Sequence, residues 1–169
     1  MNKQTKQLAL AGMFLALGQI LPFITGQIPA IGARLSPMHI PVLLCGFAVG
    51  PAYGALTGFI CPLLRSVLFG MPVMFPAGIA MAFELCTYGF VSGYVFRRFE
   101  KQDTKAIYMT LIIAMLAGRV IWGCAQFILL GISGGTFTFQ AFLAGAFINA
   151  VPGIILHLLL IPVKIGRAS

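Results

Sequence analysis

Three ionisable side chains lie inside long apolar stretches of this sequence: Arg65, Glu84 and Arg119. A charge in apolar surroundings is costly unless it is paired, so each of them needs a polar partner. Two arginines and one glutamate leave about one positive charge uncompensated. We therefore expect Glu84 to hold one arginine, Arg65 in the working assignment, while Arg119 receives an anion through its guanidinium fork. In the alternative, Glu84 bridges both arginines as a structural clamp.

Aromatic and amide side chains accompany these charges at helical spacing. Tyr88 follows Glu84 by one turn, and Trp122 and Gln126 follow Arg119 by one and two turns on the same face. Such companions suit a small organic molecule. The expected substrate-binding residues are Arg34, His39, Arg65, Glu84, Tyr88, Arg119, Trp122, Gln126 and Asn149. Two of them have an alternative without a ligand. In that alternative Arg34 is only a solvated charge in a loop, and His39 is only the first residue of a helix.

The composition indicates the kind of structure that positions these residues. Apolar residues make up 60% of the 169, charged residues only 8%, and the mean hydropathy is +1.01. A soluble domain is about a quarter charged, so lipid must be the main solvent for the exterior. The sequence predicts an all-α integral membrane protein, a single membrane domain over 1–169 forming a six-transmembrane-helix bundle. The apolar stretches are Gln7 to Phe23, Met38 to Gly50, Ala52 to Gly70, Pro76 to Phe96, Ala106 to Gly131 and Phe139 to Val163.

The second stretch is shorter than the roughly 20 residues that a spanning helix needs. It is either a tilted span or one arm of a re-entrant hairpin with the third stretch. The basic residues then set the orientation, because cytoplasmic loops carry an excess of Lys and Arg. With six crossings one side collects most of them, and both termini are predicted to be cytoplasmic. The residues on that side are Lys3, Lys6, Arg97, Arg98, Lys101, Lys105, Lys164 and Arg167.

The net charge of +8 is thus explained by topology and contact with anionic lipid, and no nucleic-acid partner is expected. Counting 1.5 Å per residue puts Arg65 roughly 8 Å, Glu84 roughly 12 Å and Arg119 roughly 18 Å below the outer helix ends. The cytoplasmic half then holds no ionisable group except His157. This asymmetry predicts a polar cavity open to the outside.

Small residues recur at helical spacing in this sequence. Glycines four apart at Gly46, Gly50, Gly54 and Gly58, and again at Gly89 and Gly93, predict close helix packing within the chain. The four cysteines lie in apolar runs far apart and are expected to be packing groups, with neither a metal site nor a cofactor. There is no phosphate-binding GxxxxGK[ST] loop, so the chain cannot hydrolyse ATP itself.

Several segments resemble one family of membrane proteins. The run KQLALAGMFLALG at 6–18 is similar to the start of the S components of energy-coupling-factor vitamin transporters. The resemblance extends over essentially the whole chain, including the length, the six helices and the basic loop between the fourth and fifth. The runs MHIPVLLCG at 38–46, PLLRSVLFGMP at 62–72 and FPAGIAMAFE at 75–84 look most like pantothenate-type members.

The resemblance implies a substrate-capture subunit of an importer in a bacterial cell membrane, with no catalytic residues. Its implied partners are a transmembrane coupling subunit and two cytoplasmic ATPases. The coupling contact of the family is an Ala-x-x-x-Ala motif on the first helix, and the matching positions here are Gly12 and Ala16. Pantothenate fits an anion site, and biotin, niacin, lipoate and folate, all anionic, remain open, while neutral riboflavin explains the arginines less well. Two alternatives belong to other classes of protein: an intramembrane enzyme that uses Glu84 with His39, and a purely structural membrane subunit.

Overall fold

The computed structural model describes residues 2–24, 37–132, 134, 138, 140, 144, 154, 155 and 157–161. Five α-helices follow one another: α1 Lys3–Ile24, α2 His39–Ala48, α3 Pro51–Phe69, α4 Ile79–Phe96 and α5 Thr104–Ile132. A π-helical turn, Met74–Gly78, leads into α4. Residues 157–161 are also helical and lie within the predicted sixth helix.

Among these described residues there is no strand, and four segments are long and apolar enough to cross a membrane: Lys3–Phe23, Pro51–Phe69, Met74–Phe96 and Thr104–Ile132. The chain is therefore a multi-pass helical membrane protein. The helix α2 has only 10 residues, about 15 Å at 1.5 Å per residue, which is half of a bilayer core. It is a half-length helix that turns at Gly50, whose φ of 123° favours glycine, directly into the full-length α3.

The predicted glycine series brings three helices into backbone contact. A Cβ atom added to Gly46 or to Gly54 would lie 2.5 Å from the carbonyl oxygen of Gly89 on α4. One added to Gly93 would lie 2.6 Å from the nitrogen of Pro51 at the start of α3. These approaches are possible only without side chains. The prediction of tight packing within the chain is confirmed, and α2 and α3 pack together on α4.

Replacing Gly89 with leucine is expected to disrupt this packing. The new side chain would meet the backbone of Gly54, which cannot rotate away, and overpacking of this kind costs typically 1–3 kcal/mol or more. We expect a lower thermal midpoint and aggregation in detergent, measured by size-exclusion chromatography after heating. Gly131→Leu is the matched control, since nothing lies within 4 Å of a Cβ at that exposed site in α5. Equal stability of both variants would contradict the packing.

The remaining helices extend this unit in opposite directions. The helix α1 packs chiefly on α2 and α3, whereas α5 packs on α4. Most of the buried apolar core lies between α2, α4 and α5, and Ile161 is fully buried in the same cluster. The carboxyl-terminal end of α2 is fixed to that of α4, because Arg97 donates a 2.8 Å hydrogen bond to the carbonyl oxygen of Val49. This arrangement sets the depth at which α2 begins, and so the depth of His39.

Candidate functional site

Glu84 is the centre of a buried polar cluster between α4 and α5. Its side chain is 2% exposed, and Arg119 approaches it with Nη1 3.0 Å from Oε1. Tyr88, one turn further along α4, donates a hydrogen bond of 2.7 Å to the same oxygen. A carboxylate buried in a bundle is stabilised by such charge-assisted donors. The predicted face of α4 that carries Glu84 and Tyr88 is confirmed.

Gly118 makes room for this arrangement. A Cβ at this position would meet the Tyr88 ring, so the ring lies directly on the backbone of α5 beside Arg119. Along the same helix Met115 is buried, Arg119 is 12% exposed at the side chain, and Trp122 and Gln126 are half-buried. The predicted one-sided face of α5 is therefore turned inward. It continues from the Glu84 pair past Trp122 to Gln126, toward the carboxyl-terminal end of α5.

His39 reaches the same cluster from α2. It is 2% exposed, its Nε2 lies 3.8 Å from Glu84 Oε1, and its ring centroid lies 5.3 Å from that of Tyr88. The distance to Glu84 is too long for a hydrogen bond. His39 does begin a helix, as expected. Because α2 is short and its carboxyl-terminal end is fixed to α4, this first residue is buried beside Glu84 and Tyr88.

His157 was expected to lie apart from the other ionisable groups of the spans, whereas the structure places it next to His39. Its ring stacks on that of His39, with centroids 5.8 Å apart and planes inclined by 20°. The residue is 2% exposed. Both histidines therefore belong to the Glu84 cluster. Counting residues from the predicted outer end of the sixth helix missed this, and the only signal in the sequence was a histidine within an apolar run.

Several buried polar atoms of the cluster have no hydrogen-bond partner among the described residues. They are Nδ1 and Nε2 of His39, Nε of Arg119 and Oε1 of Gln126. An unsatisfied buried polar group costs roughly 1–3 kcal/mol. The atoms of His39 and Arg119 lie beside one ion pair, and Gln126 follows Arg119 by two turns of α5. Buried polar atoms are nearly always paired in a core, and unpaired donors and acceptors are what a polar ligand can satisfy.

Arg65 does not belong to this cluster, which corrects the expected pairing with Glu84. Its Nη1 donates a 2.8 Å hydrogen bond to the carbonyl oxygen of Gln19 on α1. Its guanidinium carbon lies 5.2 Å and 5.1 Å from the ring centroids of Phe23 and Phe69. The clamp in which Glu84 bridges both arginines is also wrong, since among the described residues Glu84 pairs with Arg119 and approaches His39.

Helical spacing does not account for this position of Arg65. It lies within about 20° of Gly54 and of Gly58, the glycines of α3 that pack on the backbone of α4. Its long side chain nevertheless contacts α1, which offers a carbonyl acceptor at Gln19 and the ring of Phe23. There Gln19 adds a second link, donating 3.0 Å to the carbonyl oxygen of Cys61. Arg65 thus ties the carboxyl-terminal end of α1 to α3.

Arg65→Leu is therefore expected to loosen α1 rather than to remove a ligand contact. The variant loses the bond to Gln19 and two cation–π contacts, each worth about 0.5–2 kcal/mol. We expect faster proteolysis or hydrogen exchange in α1, with ligand affinity changed much less than by substitutions at Arg119. Hydrogen exchange by mass spectrometry checks this. Arg65→Lys keeps the charge and should recover part of the protection. A selective loss of affinity without loosening of α1 would return Arg65 to the site.

The other expected residues lie as follows. Arg34 and Asn149 fall outside the described residues. Gly12 and Ala16 are exposed on α1, and nothing lies within 4 Å of a Cβ at Gly12. On the opposite side of α1, Ala11, Gly18 and Gln19 are buried against the bundle. The small-residue pair is thus on a face that no described residue covers.

A comparison with family models identifies the chain. The model for "ECF transporter, substrate-specific component" matches residues 6–165. The chain belongs to this family. Comparisons with curated proteins and with solved structures give no match. The protein is thus a binding subunit for transport and not an enzyme, which removes the intramembrane-enzyme alternative. Family membership also implies partnership with the transmembrane coupling and ATPase module.

Proposed function

We propose that this subunit captures a small anionic vitamin, with pantothenate as the best candidate, and delivers it through the ATPase-driven coupling module. The observation that carries the proposal is the state of Arg119. Glu84 occupies its Nη1, while the buried Nε has no partner among the described residues. In a guanidinium the Nε and Nη2 hydrogens lie along one edge, and this edge accepts a carboxylate in bidentate geometry. Arg119 can hold Glu84 and a ligand carboxylate together.

The rest of the cluster suits the remainder of such a molecule. Tyr88, Arg119 and His39 all approach Oε1 of Glu84, so Oε2 is the oxygen to which a ligand hydroxyl can donate. Trp122 offers an aromatic surface to an apolar chain. Pantothenate combines a carboxylate, an amide and two hydroxyls, which matches this mixture of groups. Arg34 and Asn149 remain proposed members of the same site on sequence grounds.

Identification of the bound molecule tests the assignment. The protein is purified in mild detergent from cells grown in rich medium, and small molecules released by denaturation are identified by mass spectrometry. Calorimetric titration of the stripped protein with pantothenate, biotin, niacin, lipoate, folate and riboflavin follows. Saturable binding of pantothenate alone supports the proposal. Preference for another anionic vitamin would replace pantothenate as the proposed ligand and would keep the proposed anion site. Preference for neutral riboflavin would argue that Glu84 alone neutralises Arg119, with no ligand carboxylate bound there. Binding of none would leave a structural subunit.

The proposed direction of transport requires a defined topology. Both termini and the loop containing Lys101 should be cytoplasmic, because the basic residues collect there. In a cysteine-free background an impermeant maleimide added from outside should fail to label Lys101→Cys and should label Ser133→Cys. Labelling after permeabilisation shows that both cysteines react. The reverse pattern in intact cells would contradict the topology.

A further inference from the structure

The two buried atoms without partners on α5 differ in chemical character. The Nε–H of Arg119 can only donate, so it needs an acceptor on the ligand. The Oε1 of Gln126 can only accept, so it needs a donor. One end of the ligand must therefore carry an acceptor, and another part must carry an O–H or N–H group.

The spacing along the helix separates these two requirements. Gln126 follows Arg119 by seven residues, which is two turns on one face and about 10 Å along the axis. The helix α5 ends at Ile132, so Gln126 is the nearer of the two to that end. Trp122 lies between them on the same face. A ligand that contacts both residues must therefore extend along this face of α5.

We propose that the ligand is elongated and binds in one orientation, with its carboxylate at Arg119, deep beside Glu84, and a hydroxyl or N–H donor at Gln126 toward the outer end of α5. This inference rests on the proposed function, because it concerns the same site. It restricts the substrate class to molecules with an anionic group at one end and a donor at the other, since the two residues lie two helical turns apart. Extended pantothenate meets this requirement, and niacin, a single small ring, does not.

Charge inversion at Gln126 tests the orientation directly. Gln126→Glu keeps an acceptor for a ligand donor, so its loss of pantothenate affinity by calorimetry should not exceed that of Gln126→Leu. If the carboxylate instead lies at Gln126, the introduced negative charge should reduce affinity by more than about a hundredfold, since juxtaposed like charges cost several kcal/mol. Gln126→Leu should weaken binding about fivefold through loss of one hydrogen bond. A large loss in Gln126→Glu together with a small loss in Gln126→Leu would overturn the orientation.

Two ligand analogues make the test independent of folding defects in any variant. The probes are pantothenate, its primary amide, and the analogue in which both hydroxyls are replaced by hydrogen. The wild type should discriminate against both analogues. Gln126→Leu should lose only the discrimination against the analogue without hydroxyls, and Arg119→Gln only that against the amide. The inference would be overturned if Gln126→Leu lost the discrimination against the amide and Arg119→Gln that against the analogue without hydroxyls. Unchanged discrimination in both variants would also overturn it. Absence of pantothenate binding by the wild type would be a different result, because the proposed function would then fail and the orientation with it.

Discussion

Arg119→Ala is expected to reduce the affinity for an anionic ligand by about a hundredfold or more. The ligand carboxylate would be left unpaired where water is scarce, and loss of one partner of a buried charge pair costs roughly 2–5 kcal/mol, at about 1.4 kcal/mol per tenfold. Arg119→Lys should recover only part of this, since an ammonium cannot hold Glu84 at one corner and a carboxylate along another edge. Titration of the purified variants measures the effect.

The structure adds a complication that the experiment must separate. Arg119 also neutralises Glu84, which is 1% exposed, so its removal leaves a buried glutamate without its charged partner. The double variant Arg119→Gln with Glu84→Gln removes both charges and should recover thermal stability. It should not recover affinity for the anion. Recovery of both would mean that the pair is purely structural.

Intrinsic fluorescence gives a second reading of the same titration. Trp122 is the only tryptophan and follows Arg119 by one turn on the inward face of α5. Ligand should therefore change its emission in the wild type, with a midpoint that matches the calorimetric one. If the wild type binds while Arg119→Ala and Arg119→Lys keep near-wild-type affinity, the anion site is wrong at this residue.

The sequence could predict that Glu84 and Arg119 share one layer of the bundle, but only approximately. Counted from the outer ends of their helices they seemed about 6 Å apart in depth, yet Nη1 and Oε1 lie 3.0 Å apart. From the inner ends, Phe96 for α4 and Thr104 for α5, the depths are about 18 Å and 22 Å. The short connection between α4 and α5 keeps their inner ends close together, so the count from that side is the better one. The lengths of two helices do not show how far one is shifted along the other.

Rotation about the helix axis was the greater obstacle. Arg65 and Glu84 were both correctly placed within apolar helices, but apolar residues surround Arg65 on every face of its segment, so the pattern contains no marked polar side. Helical spacing puts Arg65 within about 20° of Gly54 and Gly58, which pack on α4, so its contact with α1 could not be predicted from the spacing. The contact between His39 and His157 depended on the length of α2 and on the bond that fixes its carboxyl-terminal end to α4.

The largest expected effect on transport comes from the exposed small-residue face of α1. Gly12 and Ala16 lie one turn apart, both exposed, beside the exposed Leu8 and Ile20. Together these four residues, spaced four apart, form an exposed apolar stripe along α1 with small residues at its centre. Small residues let helices approach closely in a membrane, and we propose this stripe as the contact with the transmembrane coupling subunit. Gly12→Leu and Ala16→Leu should therefore reduce uptake to near background.

Ligand binding by the purified variants should survive, because nothing lies within 4 Å of a Cβ at Gly12 and the Glu84 cluster is formed by other helices. Uptake of radiolabelled vitamin in cells and co-purification of the coupling subunit measure the two halves of the prediction. Gly131→Leu is again the matched control, an exposed glycine of α5 with equally open surroundings, and it should transport normally. Parallel loss of uptake and binding would indicate a folding defect. Normal uptake and normal co-purification in both α1 variants would mean that the coupling subunit binds another face, and the stripe would then be an ordinary lipid-facing surface.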